Sequence, residues 1–143
     1  MTVEALLRRS QPLLTTTADA SLAAAAQAMH RHGCGSLPVV RDDLLVGIIS
    51  ERDIVHAMGD NGAAALTMRV GRFMSAPVLT ATPGDTLAEI ERIMVRKRIR
   101  HLPVLDRDGD LIGNVSIRDV LAERLAASQR RTEGLRDVAL ALR

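Results

Sequence analysis

The chain has 143 residues and a mass of 15.4 kDa, the length of one ordinary domain. Apolar residues make up 47% and charged residues 25%, which excludes a disordered or collagen-like chain. No apolar run approaches the ~20 residues of a membrane helix. The N-terminus, Met1-Thr2-Val3-Glu4, lacks the cationic start of a secretory signal. We therefore expect a cytoplasmic protein that does not interact with membranes.

The chain has very few aromatic residues and cysteines, which limits the kinds of function that it can have. Phe73 is the one aromatic residue, so the chain cannot build the stacking platform typical of proteins that bind single-stranded nucleic acid. Cys34 is the one cysteine and cannot form an internal disulfide. The net charge is +2, and the arginines are interleaved with acids, which indicates a solvated, salt-bridged surface. A nucleic-acid-binding protein remains a disfavoured alternative, motivated by the arginines of the tail: Arg124, Arg130, Arg131, Arg136 and Arg143.

The sequence repeats itself. Twelve of the thirty positions from 10 to 39 are identical to those 65 residues later, where chance would give about one or two. The longest identity is Leu37-Pro38-Val39, which recurs as Leu102-Pro103-Val104. After a one-residue insertion the same alignment continues at an offset of 66. The chain is therefore a tandem repeat of about 55 residues per copy.

Each copy predicts the same elements in the same order. A Thr-rich strand, over residues 13–16 and 78–81, leads to a helix with Ser21 or Thr86 as its N-cap. Two short strands follow and form a hairpin: 37–40 with 44–49, and 102–105 with 111–115.

A final helix starts near Ser50 in the first copy and near Ser116 in the second. A turn at 59–62 ends the first of these two helices, and the tail predicts an amphipathic helix with no counterpart in the first repeat. The fold class is therefore α/β: two tandem βαββα repeats related by a pseudo-twofold and packed through small sheets into one module. The predicted boundaries are residues 3–60 for the first repeat, 61–69 for a linker, 70–126 for the second repeat and 127–143 for the tail.

The densest repeated motif is Gly-x-x-Ser-x-x-Asp, present as 47–53 and again as 113–119. Together with the two Leu-Pro-Val segments, this motif resembles the CBS-domain pair, also called the Bateman module. The resemblance covers roughly residues 3–126. It implies a regulatory module with a ligand cleft on each side of the interface between the repeats.

The same Ser and Asp also have a purely structural interpretation. A Ser at a helix N-cap with an acid three residues later resembles a capping box, which satisfies helix N–H groups and needs no ligand. On residue types alone this interpretation and the functional one both stay open, and both can hold together.

The resemblance implies specific roles for the motif. The Asp, here Asp53 or Asp119, would accept hydrogen bonds from the ribose hydroxyls of an adenosine ligand, for which its two oxygens are suited. The Ser hydroxyl and the helix N-terminus would face phosphate. The residues implied on the phosphate side are Ser50, Arg52 and Ser36 for the Asp53 cleft, and Ser116, Arg118 and His101 for the Asp119 cleft.

The resemblance also implies that each cleft borrows part of its base-binding wall from the opposite repeat. The wall of the Asp53 cleft would be Ala76, Ile99 and Arg100, with Ile48 from its own strand. The wall of the Asp119 cleft would be Gln11, Cys34 and Gly35, with Asn114 from its own strand. Because Asn114 replaces an apolar base contact, the Asp53 cleft is expected to have the better base pocket.

The histidines and the cysteine do not predict a metal site or a catalytic site. His30, His32 and Cys34 are spaced by two, which does not converge on one metal ion within a helix, so no metal is expected. Cys34 lacks a neighbouring base and is interpreted as a packing residue. The sequence contains no Walker loop, serine elbow or HExxH motif, and an enzyme is not expected.

The leading hypothesis is a ligand-sensing regulatory module for an adenosine-containing ligand: AMP, ADP, ATP, S-adenosylmethionine or NAD. No permanent cofactor is expected beside that ligand. We expect a homodimer that signals to an unidentified protein partner in trans. The other alternative left open is a structural dimerisation module in which the Ser-x-x-Asp pairs only cap helices.

Overall fold

The computed structural model describes residues 1–142, so that Arg143 of the expected tail lies outside the described residues. The elements in chain order are α1 Val3–Leu7, α2 Leu22–His32, β1 Ser36–Arg41, β2 Leu44–Ser50, α3 Glu51–Asn61, a 3-10 helix Gly62–Thr67, α4 Val70–Phe73, α5 Leu87–Lys97, β3 His101–Leu105, β4 Leu111–Ser116 and α6 Ile117–Ala141. None of the helices formed by residues 1–142 combines the length and apolar character needed to cross a bilayer.

Both expected hairpins are present as two-stranded antiparallel sheets, β1 with β2 and β3 with β4. Their registers are equivalent: Pro38 lies opposite Ile48 in the first sheet, and Pro103 lies opposite Asn114 in the second. The expected caps are also present, because the hydroxyl of Ser21 accepts from Ala24 N and that of Thr86 from Glu89 N. The α/β architecture of two tandem repeats is therefore confirmed.

The expected first strand of each repeat is reduced to one parallel bridge, Thr16 with Val39 and Ala81 with Val104. In the first repeat, Thr16 N donates to Pro38 O and Thr16 O accepts from Val40 N, both at 2.9 Å. The next bond of a parallel ladder would need an N–H at Pro38, and the equivalent bond in the second repeat would need one at Pro103. Proline has no N–H, so the strand prediction was wrong beyond a single residue.

Two further expectations need correction. The helix α3 does not stop at Gly59 but continues to Asn61, and the chain reverses at Gly62, whose φ is 63°. The tail is not a separate helix: α6 runs without a break from Ile117 to Ala141. The short helices α1 and α4 have no counterpart in the sequence-based prediction.

The hydrophobic core has two parts, and each part is completed from the far side of the repeat boundary. In the first, residues 22–57 surround Ala65 and Val70, which follow the first repeat in the chain. In the second, residues 81–120 surround Val3 and Leu6 of α1. Backbone hydrogen bonds tie these segments in place, from Val3 N to Asp85 O and from Val70 N to Ala20 O. The repeats are therefore interlocked rather than simply juxtaposed.

Candidate functional site at the repeat interface

The first Ser-x-x-Asp motif forms a complete capping box at the start of α3. Asp53 Oδ2 accepts from Ser50 N at 2.8 Å and from Ser50 Oγ at 2.9 Å, while Ser50 Oγ accepts from Asp53 N at 3.3 Å. The chain adopts this arrangement because an extended Ser50, with ψ of 165°, directs its hydroxyl at the free N–H groups of the first turn.

The second motif caps α6 in a looser way. Ser116 Oγ accepts from Asp119 N at 3.1 Å and donates to Asp119 Oδ2 at 2.7 Å. Within residues 1–142, no hydrogen bond joins Ser116 N to Asp119. Asp53 is half-buried and Asp119 is exposed. In both motifs the cap occupies Oδ2, and none of the described residues donates to Oδ1, so one oxygen of each carboxylate is available to a ligand hydroxyl.

The structure brings together two of the residues expected in the Asp53 cleft. Ile48 pairs with Ser75 in both directions, from Ile48 N to Ser75 O at 3.1 Å and from Ser75 N to Ile48 O at 2.9 Å. Ala76 follows Ser75 and is therefore held beside β2. Ala76 is exposed and Ile48 is half-buried.

Two other expected members of the Asp53 cleft, Ile99 and Arg100, are held by the second repeat. Ile99 packs against the core of the second repeat, and Arg100 O accepts from Ile117 N at 2.8 Å, which ties this loop to α6. Among residues 1–142, no hydrogen bond or ion pair joins either residue to Asp53. The exposed side chains of Arg52 and Arg118 lie in the first turns of α3 and α6.

Two of the residues expected around Asp119, Gly35 and His101, lie close together. A Cβ added to Gly35 would lie 3.2 Å from His101 Nε2 and 3.4 Å from Glu51 Cδ, so Gly35 is one of the points at which the two repeats meet. Burial lowers the pKa of His101; the carboxylates of Glu51 and Asp119 oppose this effect, and Arg100 reinforces it. His101 therefore sits among charged groups of both repeats.

Ser36 and Asn114 form a second contact between the repeats. Asn114 Nδ2 donates to Ser36 Oγ at 2.9 Å, and Ser36 is only 2% exposed.

Cys34 and Gln11 are two further residues expected in the Asp119 cleft. Burial raises the pKa of the half-buried Cys34, which argues against a role as a nucleophile. Gln11 is exposed and makes no hydrogen bond to the residues described.

Glu51 is the functional candidate that the sequence did not indicate. It precedes the motif Asp by two residues, and the second repeat has Ile117 in its place, so the comparison of the repeats gave no reason to select it. Glu51 N donates to Gly35 O at 3.0 Å, and the packing of Gly35 against His101 brings Glu51 to the interface.

Each repeat has a cavity between its helices. One, of about 440 Å³, lies between α2 and α3, and its lining contains Cys34 and Glu51. The other, of about 480 Å³, lies between α5 and α6 and includes Arg92, Arg96 and Arg124. In the part of the chain from Met1 to Leu142, no cluster of three metal-ligating side chains is present.

Two interlocked repeats, each with a Ser-x-x-Asp cap at the start of its final helix, define a tandem-repeat module. The family model for the CBS domain matches residues 3–60 and 70–126. The chain belongs to the CBS-domain family.

Solved structures of similar proteins agree with this assignment. A CBS-domain-containing protein of Agrobacterium tumefaciens is 35% identical, with a TM-score of 0.80 over 86% of this chain and 98% of that one. The CBS domain pair of protein MJ0100, solved with 5'-methylthioadenosine and S-adenosyl-L-methionine, is 27% identical, with a TM-score of 0.78 over 90% and 98%. CBSX2, solved with AMP, is 25% identical, with a TM-score of 0.74 over 89% and 98%.

Two curated relatives are longer than this chain. An uncharacterised protein of Methanopyrus kandleri is 38% identical over 65% of this chain, which spans 48% of that protein. An inosine-5'-monophosphate dehydrogenase of Korarchaeum cryptofilum is 35% identical over 76% of this chain, but the match covers only 21% of the enzyme. The similarity to that enzyme is therefore confined to a small part of its length.

Proposed function

We propose that this protein is a regulatory module that binds an adenosine-containing ligand in the clefts between its two repeats. The observation that carries the proposal is the pair of capped aspartates, Asp53 and Asp119, each with an Oδ1 to which none of residues 1–142 donates. The similarity to CBS pairs solved with AMP, 5'-methylthioadenosine and S-adenosyl-L-methionine supports an adenosine ligand. AMP, ADP, ATP, S-adenosylmethionine and NAD are the candidates.

The chemistry of each cleft follows from its charges and helix ends. A ribose hydroxyl would donate to Oδ1 of the aspartate, which leaves the helix cap intact. The first turns of α3 and α6 offer N–H groups and a positive dipole end to phosphate, and Arg52 and Arg118 add a cation there. We assign Ile48 and Ala76 to the base wall of the Asp53 cleft.

The remaining assignments of both clefts follow the resemblance. In the Asp53 cleft, Ile99 and Arg100 complete the base wall and Ser50 and Ser36 lie on the phosphate side. In the Asp119 cleft, Gln11, Cys34, Gly35 and Asn114 form the base wall, with Ser116 and His101 on the phosphate side. Because Ser36 is buried against Asn114, it can reach a phosphate only if this contact opens.

The regulatory output would come from a change in the relation between the repeats. A ligand that contacts both repeats favours the arrangement it binds best, and it can shift the equilibrium only by its difference in affinity between arrangements. We propose that the protein acts without catalysis of its own, as a homodimer and on a protein partner in trans. Exposed apolar side chains on the helical faces, such as Val55, Val95 and Leu121, support the dimer.

We also propose that the protein is cytoplasmic, because the single free thiol of Cys34 would stay reduced there.

Thermal unfolding of the purified protein with each of the five candidate ligands tests the binding proposal. At 100 times its Kd, a ligand of the native state adds about 2.7 kcal/mol to the free energy of unfolding. We expect one ligand to raise Tm by several degrees and the rise to be lost in Asp53→Ala or Asp119→Ala, each compared with its own ligand-free Tm. Asp60→Ala, an exposed aspartate near the end of α3, is the matched control and should keep the full rise.

A cap-only role predicts the opposite result. Both motif variants would then lower the ligand-free Tm, and no ligand would stabilise the wild type. This outcome would leave the aspartates as folding residues alone.

A further inference from the structure

Asn114 occupies a special place in the second sheet. It lies in β4 opposite Pro103, and its side chain crosses to the other repeat, where Nδ2 donates to the nearly inaccessible Ser36 Oγ. Successive side chains of a strand alternate between its faces, so Asn114 shares a face of β4 with Ser116, the cap of α6. The amide is therefore directed to the side of the strand on which the Asp119 motif begins.

The oxygen of the Asn114 amide has an unusual environment. Asn114 Oδ1 is buried and has no hydrogen-bond partner among the described residues. An acceptor withdrawn from water without a donor destabilises the folded protein, and such groups are rare in native structures. An isolated acceptor beside an expected ligand cleft is therefore a candidate for a contact that the protein does not make by itself.

The first repeat lacks this feature. Ile48 holds the position in β2 that Asn114 holds in β4, opposite the first proline instead of the second. Ile48 offers only an apolar side chain, and its backbone is already paired with Ser75. Since Ser36 follows Gly35, the amide also lies beside the point where Gly35 meets His101. Asn114 thus adds a polar group to the base wall expected for the Asp119 cleft, whereas Ile48 adds none to that of the Asp53 cleft.

We propose that Asn114 makes the Asp119 cleft selective for purines with an amino group at C6, through a hydrogen bond from that group to Oδ1. The inference rests on the proposed adenosine-binding function and assigns its specificity in one cleft. A purine with a carbonyl at C6 would place an acceptor against an acceptor and leave both unsatisfied. Because Oδ1 is buried, the surrounding side chains must move aside for the donor, which links recognition of the base to movement between Asn114 and Ser36.

Isothermal titration calorimetry with nucleotide pairs that differ at C6 tests the inference. The probes are AMP against IMP and ATP against ITP, and the protein is Asp53→Ala, which leaves the Asp119 cleft intact. We expect the amino purine of at least one pair to bind about ten-fold more tightly or better. Adding Asn114→Ile, which places the residue of the first repeat in β4, should bring the two affinities to within about two-fold of each other.

Two further variants keep the experiment decisive. Asn114→Ala removes the same amide without adding volume, and it replaces Asn114→Ile if that variant does not fold by circular dichroism. Asn61→Ala removes an asparagine whose Nδ2 donates to Ala57 O at the end of α3 and should leave the ratio of affinities unchanged. If Asn114 had a merely structural role, its replacement would weaken the binding of both nucleotides of a pair equally.

The failure of the inference and of the proposed function give different results. If the wild type binds none of the five candidate ligands, the adenosine proposal fails, and this inference fails with it. If the wild type binds but Asp53→Ala binds neither amino purine, only the inference about the Asp119 cleft is overturned. Equal binding within both pairs, a preference for the carbonyl purine in either pair, or a ratio unchanged by both Asn114 variants would also overturn it alone.

Discussion

Leu7 packs against Gly113 so closely that a Cβ added to Gly113 would stand 2.5 Å from Leu7 Cδ2. Leu7 ends α1, and Gly113 lies in β4 of the second repeat. The equivalent relation occurs on the other side, where a Cβ on Gly47 would lie 2.6 Å from Met74 Sδ. Because each motif glycine lacks a Cβ, it leaves room for a side chain of the segment that completes the core of its repeat.

Gly113→Ala should lower the free energy of unfolding by about 1–3 kcal/mol, because the added methyl group must displace Leu7 in a packed interface. Urea denaturation of the ligand-free protein measures the change. In the double variant with Leu7→Ala the space is already free, so the cost of Gly113→Ala should largely disappear. An equal cost with and without Leu7 would show that this contact is not the reason for the glycine.

The two motif aspartates should differ in their contribution to stability. Asp53 Oδ2 accepts two hydrogen bonds from Ser50, whereas Asp119 Oδ2 accepts one from Ser116. Loss of a cap contact costs about 0.5–2 kcal/mol, and we expect Asp53→Ala to fall near the upper end and Asp119→Ala near the lower. Chemical denaturation of both variants without ligand gives the comparison. The reverse order would contradict the difference between the two caps.

The stability should depend on pH through His101. Burial lowers its pKa in the folded state below the usual value of about 6.5, so the unfolded chain takes up the proton first. The stabilising contribution of the neutral ring is complete above pH ~6.5 and is lost as the pH falls through that value towards the folded pKa. His101→Gln should flatten this part of the profile of unfolding free energy against pH.

The matched control for this titration is His56→Gln, which removes an exposed imidazole from α3. The difference between the two variant profiles isolates what the buried position of His101 contributes. If both profiles retain the slope of the wild type, burial of His101 does not couple to folding.

Gly134→Ala should stabilise the tail. Gly134 lies inside α6, and a Cβ there would meet no atom within 4 Å, so alanine gains helix propensity without a clash. The expected gain is about 0.5–1 kcal/mol in local helix stability, measured as increased helical signal in circular dichroism and slower amide exchange across the tail. No gain would indicate that the tail is not helical in solution.

Local signals in the sequence predicted most of the regular elements. Ser21, Thr86, Ser50 and Ser116 were identified as N-caps because a hydroxyl before an apolar periodicity satisfies free N–H groups of a first turn, and all four accept such bonds. The hairpins were predicted for a similar reason, since alternation of side chains and turn residues acts over a few positions. Where proline removed a donor, at Pro38 and Pro103, the local strand propensity of residues 13–16 and 78–81 did not produce a ladder.

The sequence predicted only part of the candidate site. The motif residues Asp53 and Asp119 stand out because they recur, but Glu51 and the buried contact between Ser36 and Asn114 do not recur in the other repeat. Their importance depends on which residues face each other across the interface, and neither spacing nor composition contains that information.

The sequence by itself determined the repeat, its hairpins, its capped helices and the positions of its paired motifs, because these depend on contacts between residues close in the chain. The tertiary structure alone decided that α1 closes the second core and α4 the first, that the tail continues α6, and that the amide of Asn114 reaches Ser36. These features arise from burial of apolar faces over long distances in the chain. A segment as short as Val3–Leu7 becomes a stable helix only where another repeat covers its apolar side.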